Sequence, residues 1–248
     1  MDVTALASAA EVLAATRHDP FVRSSLRREL VRGWAADGAT AWLGVDPDDG
    51  TPYLSTLGAP PRAAALLGQL LPGLPPGQRA TVPRGTPDHL AAGVRLRGTD
   101  WDLRWIAAPP PRQPGEERVQ PLDDEPAVQE LLAASSPTAS ALPGDPAVRR
   151  WVGVRDGSGV LLACAADTSG ARGAGHLSSI AVRPQARGQG LGRAVTAALV
   201  RQLLAEGNDL VTLGMYADNA SARAVYDALG FADEHRFTSG PTRLEQRP

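Results

Sequence analysis

The stretch His176–Arg193, HLSSIAVRPQARGQGLGR, constrains the fold of this chain more than any other. His176–Arg183 is rich in small, apolar and β-branched residues and reads as a strand. Pro184 ends it, because proline has no amide donor and fits a sheet only at an edge or an end. Gly188, Gly190 and Gly192 follow at every second position. Leu191, Val195, Leu199 and Leu203 then recur at helical spacing. Strand, glycine-rich turn and helix therefore come in immediate succession. Glycines let a backbone approach a ligand closely. The first turn of a helix offers amide hydrogens without intrahelical partners, and the helix dipole favours an anion there. The stretch reads as a phosphate cradle, with Arg187 and Arg193 as charge partners.

By this physics alone the cradle suits any pyrophosphate. Two familiar cradles fit poorly. The dinucleotide fingerprint G-x-G-x-x-G needs its third glycine one residue later than Gly192. The nucleotide-triphosphate loop needs G-K-[ST], and the chain has no lysine. A second motif follows at Asp218–Phe231, DNASARAVYDALGF. Asn219 is a good helix N-cap. Ala222, Val225 and Leu229 form a short apolar stripe. Gly230 falls where a left-handed residue ends a helix, and Phe231 can pack back on the last turn. The pattern predicts a short capped helix, with Tyr226 packing against Phe231.

V-R-P followed by R-x-x-G-x-G (Arg187 to Gly192), and then N-x-x-[SA]-R-x-x-Y-x-x-x-G-F (Asn219 to Phe231), resemble motifs A and B of the GNAT acetyltransferase superfamily. The resemblance covers about Glu116–Pro248. It implies an α/β (α+β) acyl-CoA N-acyltransferase fold, a mixed central sheet flanked by helices. It implies acetyl-CoA as acyl donor, held by Arg187, Gly188, Gln189, Gly190, Leu191, Gly192 and Arg193. It also implies that the backbone of Ile180, Ala181 and Val182 pairs with the pantetheine arm and polarises the thioester. Tyr226 would protonate the leaving thiolate, and Asn219 would contact the cofactor or position Tyr226. The implied reaction is direct attack by a primary amine, of a small molecule or a peptide, in a ternary complex. Peptide-acetylating relatives with a glutamate on the strand before the second motif have no counterpart here, because Gly214 stands at that place. His176 is the candidate base, since histidine titrates near neutrality. Its plain alternative is a solvent-exposed histidine at a strand end. Asp218 is a weaker candidate. The competing function is a non-catalytic acyl-CoA-binding regulatory module.

The remaining sequence sets bounds. A net charge of −2 gives no case for a nucleic-acid partner. No run approaches the roughly 18 apolar residues of a membrane span. The N-terminus lacks a signal-peptide pattern, and Cys164 is the single cysteine. A reducing, cytoplasmic setting is the expectation. Cys164 lies in an apolar strand and reads as a structural thiol. Histidines at 18, 89, 176 and 235 show no metal-ligand spacing, so no metal is expected. A homodimer is left open.

The domain expectation is an N-terminal α/β domain over 1–110, a proline-rich linker at 111–117 and the acetyltransferase domain over 118–248. The first half has no glycine cradle, and its layout is similar to a degenerate GNAT copy. Helices are expected at Val3–Ala15, Val22–Trp34 and Pro61–Leu71, and a short one at Pro87–Ala92. Strands are expected at Ala39–Val45, Tyr53–Leu57, Arg79–Val82 and Asp100–Ala107. In the second half the expectation is a helix at Glu125–Ala134, a hairpin of Arg150–Val154 with Val160–Ala166, and a strand at Leu210–Tyr216. Two short closing strands are expected at Arg236–Thr238 and Thr242–Leu244.

Overall fold

The computed structural model describes residues 2–26, 32–45, 50–74, 77–170 and 173–244. The chain divides into two compact units. One comprises Met1–Leu103, Tyr216–Asp218 and His235–Pro248, the other Arg104–Met215 and Asn219–Glu234.

The first unit opens with β1 (Thr4–Leu6), α1 (Ala9–Ala15) and α2 (Pro20–Ser25). The expected helix from Val3 therefore starts later. Ser8 Oγ accepts from the Glu11 amide, and the Glu11 carboxylate accepts from the Ala7 amide at 2.9 Å. This reciprocal cap fixes the start and leaves Thr4–Leu6 to pair with β2 (Arg32–Ala36). Arg32–Ala36 corrects the expected helix over Val22–Trp34; residues 27–31 of that stretch lie outside the described residues. β3 (Ala39–Val45), β4 (Pro52–Gly58), α3 (Pro60–Leu70) and β5 (Arg79–Pro83) follow. Thr86–His89 is a single 3-10 turn where a helix was expected. β6 (Val94–Leu96) is a strand the sequence did not reveal, and β7 (Thr99–Ile106) runs on into the second unit.

The second unit contains β8 (Gln120–Leu122), α4 (Glu125–Ser135), β9 (Arg150–Arg155), β10 (Leu161–Asp167), β11 (Ala174–Val182), α5 (Leu191–Ala205), β12 (Leu210–Tyr216) and α6 (Ala220–Leu229). The chain ends its described part in β13 (Asp233–Leu244), one continuous strand instead of the two expected. β13 pairs antiparallel with β5 and β6 and so belongs with the first unit. In that unit the sheet order is β1-β2-β3-β4-β5-β13.

The expected linker at 111–117 is held on α5. The Arg201 guanidinium donates to the Pro110 carbonyl and to the Glu116 carboxylate. The division between the units falls instead at Leu103 and Arg104, with β13 returning to the first unit.

From β12 the second unit's sheet runs β12-β11-β10-β9-β8, and β11 pairs parallel with β12. Its two faces are read from alternation. Val152, Val154, Ala163 and Ala165 point to a core shared with α5 and α6. Trp151, Cys164 and Ala166 point to a core shared with α4. β11 breaks this alternation. Leu177 lies in the α5 core while Ala181, four residues on, lies in the α4 core. An even spacing puts both on one face unless a residue is inserted. The inserted residue is at Ser179, whose φ is +50°, where the register with β10 also shifts. This is a β-bulge.

The first unit repeats the plan. β2, β3 and β4 pair antiparallel in turn, and α3 then crosses over to β5, parallel to β4. The same succession, two antiparallel pairings and a helical crossover to a parallel strand, runs from β9 to β12.

Candidate active site

A cavity of about 700 Å³ lies in the second unit where β11 leaves β12. The parallel register covers Ala174–Leu177 against Leu210–Leu213 and stops there. Past the Ser179 bulge, Ile180, Ala181 and Val182 line the cavity. Their edge toward β12 has no ladder partner in the parallel register, so backbone donors and acceptors face the opening. The bulge is held by its own side chain. Ser179 Oγ accepts from the Ala141 amide at 3.0 Å and donates to the Ala141 carbonyl at 2.7 Å.

The glycine turn forms the next wall. Gly188 and Gly190 have φ of +78° and +79°, and a Cβ on either would meet nothing within 4 Å. Gly190 is the N-cap of α5 and provides no side-chain cap. The first amides of α5 are therefore left for a ligand, at the positive end of a 15-residue helix. Gly192 is the second residue of that helix and sits beside Val182. Arg187 and Arg193 are exposed on the rim. Arg187 donates weakly to the carbonyls of Val182 (3.4 Å) and Ser135 (3.3 Å), which holds it between β11 and the end of α4.

The third wall is α6. Asn219 Oδ1 accepts from the Ala222 amide at 3.0 Å and caps the helix. With Oδ1 so used, the amide NH2 is the group Asn219 offers to the cavity. Gly230 ends the helix at φ +92°, and the Phe231 amide returns to the Tyr226 carbonyl at 3.0 Å. Phe231 is fully buried, with its ring 5.8 Å from that of Tyr226. Tyr226 is 6% exposed and lines the cavity. Burial pushes its phenol up to about 12, because the phenolate loses hydration there. At neutral pH the phenol is therefore protonated.

The cavity brings together eleven of the thirteen residues named from the sequence: Ile180, Ala181, Val182, Arg187, Gly188, Gly190, Leu191, Gly192, Arg193, Asn219 and Tyr226. Gln189 is exposed and does not line it. His176 does not line it either. It sits in the paired part of β11 opposite Thr212. Its Nδ1 lies 2.7 Å from Thr212 Oγ1, which itself donates to the Gly175 carbonyl. The histidine is half-buried and hydrogen-bonded, which corrects the reading of an exposed strand end. Ser135, Ser136, Ala186, Ser221, Ala222, Ala224 and Val225, which the sequence did not single out as site residues, complete the lining. Ser221, Ala224 and Val225 were discoverable, being on the same helix as Tyr226. Ser135 and Ser136 were not, because nothing local to α4 says that its end meets the cradle.

Cys164 is fully buried among the α4-side core residues. Desolvation pushes its thiol up to about 12, which makes it inert as a nucleophile. No group of three or more metal-binding side chains occurs among the described residues. No helix among them is long and apolar enough to cross a membrane.

The model of the acetyltransferase (GNAT) family matches residues 103–231. Two curated relatives are mycothiol acetyltransferases. That of Kocuria rhizophila is 44% identical over 61 residues, 25% of this chain and 20% of its own length. That of Beutenbergia cavernae is 40% identical over 81 residues, 33% and 27% of the two lengths. The matched part is thus a quarter or so of those proteins. Among solved structures, a GCN5-related N-acetyltransferase from Sphaerobacter thermophilus aligns over 99% of this chain and 98% of its own, at a TM-score of 0.60 and 16% identity. A tandem GNAT protein from the clavulanic acid biosynthesis pathway aligns over the full length of both chains, at a TM-score of 0.54 and 17% identity. At such identities these two show a shared fold.

Proposed function

The chain belongs to the acetyltransferase (GNAT) family, and on that premise we propose that it is an N-acetyltransferase that moves an acetyl group from acetyl-CoA to a primary amine. One observation carries the reading. An unpaired strand edge, an uncapped helix N-terminus and a buried phenol share one cavity. These are the three things such a transfer asks of a protein.

The residues present fit the donor. The first amides of α5, with Arg187 and Arg193, would hold its pyrophosphate. The open space at Gly188 and Gly190 admits a phosphate against the backbone. The free edge of Ile180–Val182 suits an extended amide-bearing arm, which it would bind as an added strand. Acetyl-CoA supplies an acyl group activated as a thioester. A backbone amide of that edge would polarise its carbonyl. Tyr226 would give its phenolic proton to the departing sulfur, and Asn219 would hold the N-terminus of the helix that carries Tyr226. No described residue lining the cavity is a carboxylate or histidine. The acceptor amine would then attack already neutral, or lose its proton through water.

We propose a small molecule or peptide as the acceptor. The mycothiol acetyltransferase relatives favour a small molecule, on the strength of the stretch they share with this chain. The first unit is proposed as a second, degenerate copy of the fold that holds no donor. Thiol release from acetyl-CoA across a panel of amino sugars, amino acids, polyamines and peptides tests the proposal. Turnover with at least one amine, abolished or strongly reduced in Tyr226→Phe, supports it. Tight acetyl-CoA binding without turnover on any amine would favour the regulatory-module reading.

A further inference from the structure

Arg104 is a cation buried where an apolar residue would pack more simply. It lies on β7 in the second unit and is 3% exposed. Its Nη1 is 2.5 Å from Asp227 Oδ1, and its Nε is 3.8 Å from Glu234. Arg223 completes the group, with Nη1 2.8 Å from Glu234. Arg223 and Asp227 are four residues apart and share one face of α6. Both are therefore tied to Arg104, Asp227 directly and Arg223 through Glu234. β7 touches the helix again two residues on, where Ile106 lies 3.5 Å from the position a Cβ on Gly230 would take.

α6 has ten residues, too few to be stable alone. Its place is set by what it leans on. Apolar packing alone tolerates small slides, whereas the single charge-assisted hydrogen bond from Arg104 to Asp227 fixes a distance. Tyr226 immediately precedes Asp227, so a slide of α6 moves the phenol. Misplacement of about 1 Å is enough to lower a rate about 10²-fold.

We infer that Arg104 is a positioning residue: its ion pair with Asp227 seats α6 and so holds the Tyr226 phenol in the wall of the cavity. The inference rests on the reading of Tyr226 as proton donor for its catalytic meaning, but its structural half is testable apart from it.

The test uses the full chain labelled with 3-fluorotyrosine and followed by ¹⁹F NMR. The chain has three tyrosines, and Tyr226→Phe assigns the third resonance. Fluorination itself makes a phenol more acidic, so in the labelled parent protein the Tyr226 signal should stay unchanged up to about pH 9. In Arg104→Met it should titrate at lower pH than in the parent, while Arg104→Lys restores part of the parent behaviour. The sign is diagnostic. Loss of a nearby cation by itself raises a phenol's pKa, so only new access of water lowers it. Arg104→Met should keep its melting temperature within about 4 °C, because Asp227 is half-exposed and Glu234 keeps Arg223. If Arg104→Met does not fold, Asp227→Asn breaks the same pair from the exposed side and must show the same shift. An unchanged Tyr226 titration in the folded variant overturns the inference.

Turnover with the best amine of the panel adds the catalytic half. Arg104→Met should lower kcat about 10- to 100-fold, and less than about threefold further when Tyr226 is already Phe. Equal losses in both backgrounds overturn the inference and leave the role of Tyr226 standing. A Tyr226→Phe variant with parent-like kcat overturns the proton-donor reading instead, whatever the NMR shows.

Discussion

Tyr226 and Cys164 are both raised to about 12 by burial, yet they serve the protein differently. Tyr226 lines the cavity, so its high value would keep the proposed acid in its active form throughout the usable range. The turnover–pH profile should show no falling limb from this phenol below pH 11. Tyr226→Phe should lower kcat roughly 10²- to 10⁴-fold and leave acetyl-CoA affinity nearly unchanged. Cys164 sits in the core, and its value is a statement about stability. A group held protonated in the fold contributes fully below its unfolded value, about 8.5 for a thiol, and that contribution is lost as pH rises toward 12. Stability should therefore fall above about pH 9, by up to ~1.4 kcal/mol per unit for this one group. Cys164→Ala should flatten that limb, as measured by urea unfolding at pH 8 and pH 10. The native thiol should not react with Ellman's reagent until the protein unfolds.

Two elements determine the site, and they were unequally visible in the sequence. α6 was legible nearly to the residue, since a cap, an apolar stripe and a terminal glycine are local signals. Asn219 caps α6 and is proposed to contact the donor, and a pair of substitutions separates the two. Asn219→Asp keeps the cap acceptor but loses the amide donor and adds a negative charge. It should preserve stability while weakening acetyl-CoA binding. Asn219→Ala should weaken acetyl-CoA binding and also cost about 1 kcal/mol of stability. Thermal melting and calorimetry read the two effects. β11 was legible as a strand, but its bulge was not. Ser179 adopts a positive φ with no glycine to announce it, because the loop at Ala141 holds it there. The splay that creates the cavity is thus set by a contact across 38 residues. The same reason hid Arg32–Ala36. Its arginine and alanines suit a helix, and only pairing with β1 and β3 makes it a strand. In the first unit, Gly240 approaches the Gly98 region so closely that a Cβ would lie 2.0 Å from the Arg97 carbonyl oxygen. Gly240→Ala should cost at least about 2 kcal/mol, seen as a lowered urea midpoint.

At the scale of the whole molecule, two units share one plan and only one carries a cradle. The contrast lies at the helix that crosses between the parallel strands. α5 opens with Gly190 and free amides. α3 opens with Pro60 and Pro61, which have no amide hydrogens, and the next two amides, of Arg62 and Ala63, are taken by the Ala59 carbonyl at 2.9 Å. An anion finds no donor there. The sequence made this readable as a missing motif, whereas the shared strand order emerged only from long-range pairing. The central claim is that a single donor binds, at the cradle of the second unit. Calorimetric titration of acetyl-CoA into the full chain, beside Gly190→Asp, tests it most directly. An aspartate at Gly190 would place its own carboxylate at the helix N-terminus proposed to hold the pyrophosphate. The account predicts micromolar binding with one molecule per chain, lost in Gly190→Asp. Two molecules per chain, or parent-like binding by the variant, would contradict it.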